Sequence, residues 1–195
     1  MICDKIRILT VEDDPDFTTL ILEMIGRQAD MEVVGCCAGR EEAVAEAKRL
    51  LPDIVLMDLN LSPTQLDGVD AAREIRVETE TKVILLTAFE NPRIITDACR
   101  RAFASGYVFK SQFSFLAETI RKTANGHTPQ EHLINSLILA ELSPAERSIL
   151  AMMLGSDLHL QSSQKTISNQ KTSILKKLGL KSQKDLLHIF REIDL

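Results

Sequence analysis

Long apolar runs are missing from this sequence: none approaches the roughly 20 residues that a membrane-crossing helix needs. A helical membrane protein is therefore excluded, and no membrane partner is expected. The opening MICDKIRILTVEDD enters a strand-like run at once and lacks the layout of a secretory signal, so a cytoplasmic protein is expected. The four cysteines (Cys3, Cys36, Cys37 and Cys99) show no CxxC spacing and have no histidine pair near them. A zinc framework or a disulfide-built fold is not indicated, and the thiols read as small buried hydrophobes in a reducing compartment. Internal repeats and low-complexity tracts are absent. So are a P-loop, a zinc-protease motif and a nucleophile elbow, which leaves a self-contained enzyme without an anchor.

What is present is uneven. The net charge of −5 divides into 15 Lys/Arg against 22 Asp/Glu in residues 1–140 and eight against six in residues 141–195. Within the tail, residues 160–184 hold six lysines and no acid. An acidic front and a locally basic tail indicate two modules with different partners.

The front alternates between two periodicities. Apolar, partly β-branched runs at 6–11, 31–37, 54–57, 82–87 and 107–109 read as strands. Segments at 15–26, 40–51, 69–77, 92–103 and 113–124 carry apolar residues at helical spacing, with Ala43, Val44, Ala47, Leu50 and Leu51 expected to face inward. Strand and helix in strict alternation, joined by short connections, imply an α/β domain: a doubly wound five-stranded parallel sheet with helices on both faces. After Gly126 only helical periodicity remains. An apolar stripe of Leu133, Ile134, Leu137 and Ile138 forms a connector, and helices follow at 144–154, 165–178 and 183–193.

Chemistry-bearing residues stand where the strands end. The first run ends in Glu12 and Asp13, the third in Asp58, the fourth in Thr87 and the fifth in Lys110. Ligands of open parallel sheets bind beyond the carboxyl ends of the strands. Carboxylates gathered there repel one another unless a cation joins them. Mg2+ suits such a site, since it takes a few carboxylates together with water and phosphate oxygens. Lys110 adds fixed positive charge and Thr87 a hydroxyl donor for an incoming anion. The set fits phosphoryl transfer onto a carboxylate, with Asp58 as nucleophile.

The motifs VEDD (11–14), MDLN (57–60), LLTA (85–88) and YVFK (107–110), in that order, resemble a two-component response-regulator receiver over roughly residues 4–126. The resemblance implies a flavodoxin-like fold and a phosphoryl group taken by Asp58 from a histidine kinase, a phosphotransfer protein or a small phosphodonor. It also implies self-catalysed transfer and dephosphorylation rather than classical enzyme activity. By position it makes Asp13 a direct Mg2+ ligand, Glu12 a ligand through water and Asn60 a ligand through its backbone carbonyl. Thr87 and Tyr107 become the pair whose inward movement reports phosphorylation, and Lys110 the contact to the phosphoryl group. Two departures stand out. The spacing from Asp58 to Asp67-Gly68 is longer than usual in the region of Pro63-Thr64-Gln65, and Ser111 replaces a common proline. A haloacid-dehalogenase-type site, the rival with an aspartyl nucleophile, needs a second Asp where Asn60 stands.

In the tail, LSPAERSIL (142–150) and the stretch 163–180 resemble the NarL/LuxR-type helix-turn-helix output domain. Ser163 reads as an N-cap and Gly179 as a helix stop. Ile167, Ile174, Leu175 and Leu178 share one face, while Lys165, Ser168, Asn169, Thr172 and Lys176 share the other, which is basic and free of acids. Such a face suits a DNA major groove. The resemblance brings Ser168, Asn169 and Thr172 toward bases and Lys165, Lys171 and Lys176 toward the backbone. It also matches residues after Ser182 to a final helix that usually dimerises. The link 155–162 is shorter than the scaffold helix the family carries there. The expectation is a receiver domain at 1–126, a connector at 127–141 and an output domain at 142–195, together forming a phosphorylation-dependent transcription regulator that acts as a homodimer. The alternative is a phosphorylation-gated protein-interaction or dimerisation module whose shortened output domain no longer binds DNA.

Overall fold

In the computed structural model, which describes residues 5–61, 67–126, 128–156 and 163–191, the apolar runs assemble into a single parallel sheet. Its strands are β1 (Ile6–Val11), β2 (Met31–Cys37), β3 (Ile54–Asp58), β4 (Lys82–Thr87) and β5 (Gly106–Phe109), in the order β2-β1-β3-β4-β5. The intervening helices are α1 (Pro15–Gly26), α2 (Arg40–Leu50), α3 (Asp67–Glu78), α4 (Pro92–Ala102) and, after a 3-10 turn at Lys110–Phe115, α5 (Leu116–Ala124). The strand order reverses direction between β1 and β3, which opens a crevice at their carboxyl ends.

The two faces of the sheet explain the unbroken apolar runs. Ile8, Ile54, Leu56, Ile84, Leu86 and Val108 form one core with Ile21 and Ile25 of α1 and Leu116 and Ile120 of α5. The alternate residues Leu9, Val55, Met57, Val83 and Leu85 point the other way and are equally buried. Register levels the strand ends: Val11 lies beside Met57, Asp58 beside Leu86 and Thr87 beside Phe109. Asp14 caps α1, its carboxylate accepting from the Asp16 and Phe17 amides at 2.9 and 3.3 Å, with Pro15 in the first turn.

Two helix ends differ from the periodicity reading. Leu51 and Phe103 leave their helices in the left-handed conformation, at φ 47° and 53°. This turns Leu51 outward, 63% exposed, where an inward position is expected from the pattern. The segment before Leu116 is 3-10 rather than α. The described chain divides into two compact units, Met1–Ile134 and Asn135–Leu195, and α6 (Pro129–Leu139) runs across the division. The second unit contains α7 (Pro144–Met153), α8 (Gln164–Leu178) and α9 (Gln183–Phe190), with Leu142, Ile149, Leu150, Ile174, Leu178, Leu186 and Phe190 buried. Residues 63–65 of the lengthened loop, 157–162 of the short link and 192–195 beyond α9 lie outside the described residues. Among the described residues no helix is long and apolar enough to cross a membrane.

Candidate functional site

Each strand-end residue is delivered by the strand that precedes it. Glu12 follows β1, Asp58 ends β3, Thr87 ends β4 and Lys110 follows β5. Glu12, Asp58 and Thr87 are buried, Asp13 is exposed, and Lys110 lies between these extremes. Glu12, Asp13 and Asp58 each offer a carboxylate oxygen within 4.8 Å of the others. The Lys110 ammonium donates to Glu12 Oε1 at 2.8 Å and lies 2.7 Å from Oε2 and 3.2 Å from Asp58 Oδ2. The site that the sequence implies is thus assembled in space, with one cation bridging two of its acids.

Glycine shapes the floor of the crevice. A Cβ on Gly68 would sit 1.8 Å from the Asp58 carbonyl oxygen, so only glycine lets the start of α3 pass this close to the end of β3. The Gly68 amide donates to the Leu59 carbonyl at 3.3 Å and fastens this approach.

Burial and charge compete at the acids. Burial pushes the Asp58 carboxyl above its ordinary value, against the pull of Lys110 and a hydrogen bond from the Asn60 backbone N–H. Glu12 is also raised by burial, with the Lys110 bond opposing. Burial pulls Lys110 down, but the bond to Glu12 and the charge of Asp58 outweigh it, and the net direction is up. The buried Glu12 Oε2 receives no directed hydrogen bond despite the nearby ammonium charge. A hard cation or its bound water satisfies such an oxygen, and every donor in the group is a carboxylate oxygen. The residues therefore fit Mg2+.

Thr87 and Tyr107 face the same side of the sheet from neighbouring strands, since Tyr107 pairs with Leu85, two residues before Thr87. The Thr87 hydroxyl accepts from the Phe89 amide at 2.9 Å, and the Tyr107 ring packs edge-on against Phe109, centroids 5.5 Å apart. Three neighbours escape a reading by motif. Phe17 lies under the Lys110 ammonium, 4.6 Å from ring centroid to Nζ, and packs edge-on against Phe113. Ser111 donates to Glu90 at 2.7 Å and ties the turn after β5 to the loop after β4. Gln130 reaches the backbone of Tyr107. Helical spacing marks Phe17 as core, and none of the three announces its distant partner.

In the second unit, Ser163 caps α8 by accepting from the Thr166 amide at 3.2 Å, and Gly179 ends it at φ 62°. Lys165, Ser168, Asn169, Thr172 and Lys176 are exposed, while Lys171 is half-buried. The Thr172 hydroxyl donates to the Ser168 carbonyl at 3.1 Å. The opposite side of α8 is anchored by Glu146, which is buried. It accepts from the Ser143 amide at 2.7 Å, the Ser173 hydroxyl at 2.7 Å and the Lys177 ammonium at 2.6 Å. The Lys177 bond, followed by those of Ser173 and Ser143, brings the Glu146 carboxyl down to about 2.

A parallel sheet in this order, with an acid-lined crevice at the β1/β3 reversal and a lysine after β5, is the architecture of a receiver domain of two-component signalling. The family model for the response regulator receiver domain matches residues 8–121, and the chain belongs to that family. Among curated proteins it is similar to the response regulator protein VraR of Staphylococcus aureus, 32% identical over 124 residues. That match covers 63% of this chain and 58% of VraR, so the chain spans little more than half the length of these relatives. Among solved structures it resembles a LuxR-family two-component response regulator from an Aurantimonas species, with 29% identity and a TM-score of 0.59 over 71% of this chain and 98% of that one. The RcsB response regulator of Salmonella typhimurium shares the fold over 94% of this chain and 97% of its own, at 23% identity and a TM-score of 0.56. Members of the receiver family are phosphoacceptors rather than classical enzymes.

Proposed function

We propose that this chain is a response regulator that accepts a phosphoryl group on Asp58 from a histidine kinase or phosphotransfer protein and controls transcription through α8. The observation that carries the reading is the crevice itself: Asp58 beside Glu12 and Asp13, with the Lys110 ammonium 3.2 Å from its carboxylate. An Asp58 oxygen attacks phosphorus, the P–N bond to the donor imidazole breaks, and the leaving nitrogen is neutralised by a proton. Asp13 and Asp58 would hold Mg2+ directly, Glu12 through water and Asn60 through its carbonyl. The ion supplies positive charge against the phosphoryl oxygens. Lys110 turns its ammonium from Glu12 to the transferred group, and the Thr87 hydroxyl, which accepts from Phe89, donates its own O–H to a phosphoryl oxygen. The product adds up to about two negative charges, and the Tyr107 ring moves inward behind Thr87. The same residues serve self-catalysed dephosphorylation, with water as the attacking group.

Residues 1–126 act as receiver, 127–141 as connector and 142–195 as output domain. In the output domain, Ser168, Asn169 and Thr172 approach base edges and Lys165, Lys171 and Lys176 approach phosphates. The acid-free exposed face of α8 supports this, as do the LuxR-family relatives. The protein works in the cytoplasm and dimerises, with α9 as the contacting helix.

The test is a DNA-binding titration against salt, with and without beryllofluoride as phosphoryl mimic. Sequence-preferring binding that strengthens with the mimic, and a log–log salt slope of about three from the lysines of α8, is expected. Absence of specific binding at low salt in both states, while the mimic still loads Asp58, would favour the protein-interaction alternative. The short link before α8 is the feature that keeps this alternative in play.

A further inference from the structure

β5 is an edge strand, and the outward N–H and C=O of an edge strand are open to pairing. Here they are taken by a side chain. The Gln130 amide accepts from the Tyr107 N–H at 3.0 Å through Oε1 and donates to the Tyr107 carbonyl at 3.2 Å through Nε2. The carboxamide thus stands in for one peptide unit of a sixth strand. Around it, the first turn of α6 is fastened to the sheet. Lys82 donates to the Gly126 carbonyl at 3.0 Å and pairs with the buried Glu131 carboxylate at 3.6 Å, and the Thr128 hydroxyl accepts from the Glu131 amide at 3.0 Å. Gly106 makes room, since a Cβ there would meet Gln130 Oε1 at 2.7 Å.

We propose that Gln130 is a latch that holds the connector helix to the switch strand while Asp58 is unphosphorylated, and that phosphorylation releases it. This rests on the phosphoacceptor reading above. Tyr107 and Gln130 line the same groove, together with Phe109, Phe115 and Lys122. Both hydrogen bonds are half-buried, and both hold the backbone of the residue whose ring is to move. A backbone shift that accompanies the ring's movement toward Thr87 misaligns both bonds at once, and water competes for them. α6 continues from this turn into the second unit, so freeing its start changes the constraint on everything that follows. The coupling is reciprocal: a latch that opposes the inward ring also opposes phosphorylation, and removing it makes the phosphorylated state easier to reach.

Hydrogen exchange on the full chain tests this, with and without Mg2+ and beryllofluoride. Amides of residues 128–139 are expected to exchange about threefold to tenfold faster with the mimic, the scale of losing one or two half-exposed hydrogen bonds. Two variants break the latch from opposite sides. Gln130→Glu keeps the acceptor but loses the donor, and Gly106→Ala displaces the carboxamide by its methyl group. Both are expected to exchange fast in either state and to bind beryllofluoride several-fold more tightly. Protection of 54–61 by the mimic with α6 unchanged would overturn the latch alone. So would wild-type exchange and affinity in both variants. No response at 54–61 would overturn the phosphoacceptor reading and the latch with it.

Discussion

The acid crevice of the first unit and the α8 face of the second differ in what holds their charges. Glu12 and Asp58 are buried, raised by desolvation and bridged by one ammonium, an arrangement that costs stability unless a ligand uses it. The lysines of α8 that face outward cost nothing, since water solvates them. Buried, conflicted charge points to a particular chemistry, whereas solvated charge is compatible with many partners. The first unit therefore specifies its function more narrowly than the second.

The largest effect expected is at the acceptor. Asp58→Ala should abolish phosphoryl uptake from acetyl phosphate, read by intact mass, while Asp13→Ala should weaken it through Mg2+ affinity. Next is Gly68→Ala, whose methyl would meet the Asp58 carbonyl oxygen and must displace either α3 or β3. A loss of about 3 kcal/mol in denaturant unfolding is expected, with slowed phosphorylation. Wild-type stability in this variant would mean that the close approach is not needed.

Lys110→Met sharpens the contrast by leaving two buried acids without their cation. Thermal stability should fall by about 2 kcal/mol, and Mg2+ should restore more of it than in the parent chain. In the second unit, Glu146 supplies the matching case of a buried charge whose needs are all met. Its folded pKa lies near 2, below the ordinary 4.5, so its stabilisation is whole above about pH 4.5 and drains away as pH falls toward 2. The amount is of order 2 kcal/mol. Glu146→Gln should unfold more readily at neutral pH, and its difference from the parent should vanish in acid. The smallest effect on folding is expected from Lys165→Ala and Lys176→Ala. Each should shift stability by less than about 0.5 kcal/mol yet lower the DNA salt slope by about 1.

What could be read beforehand follows the distance along the chain between partners. The strand runs, the caps at Ser163 and Gly179 and the four strand-end motifs are local, and the parallel topology brings those motifs together at one edge. The Phe17 ring under Lys110, the Ser111–Glu90 bond, the Gln130 latch and the Glu146–Lys177 pair each join residues far apart in sequence, and no spacing rule encodes them. Leu51 shows the limit within one helix. Its apolar side chain fits the inward stripe, but the left-handed cap at that residue, just before Pro52, rotates it to solvent. The Asp58 crevice was readable because its residues sit at the ends of strands, where the fold leaves little freedom.

The most direct measurement of the central claim is chemical localisation of the phosphoryl group. The chain is incubated with acetyl phosphate and Mg2+ and then reduced with borohydride, which converts an aspartyl phosphate to homoserine. Peptide mass spectrometry should find homoserine at position 58 alone, and only when Mg2+ is present. Homoserine elsewhere, or an unmodified Asp58 in a folded and Mg2+-loaded chain, would contradict the account.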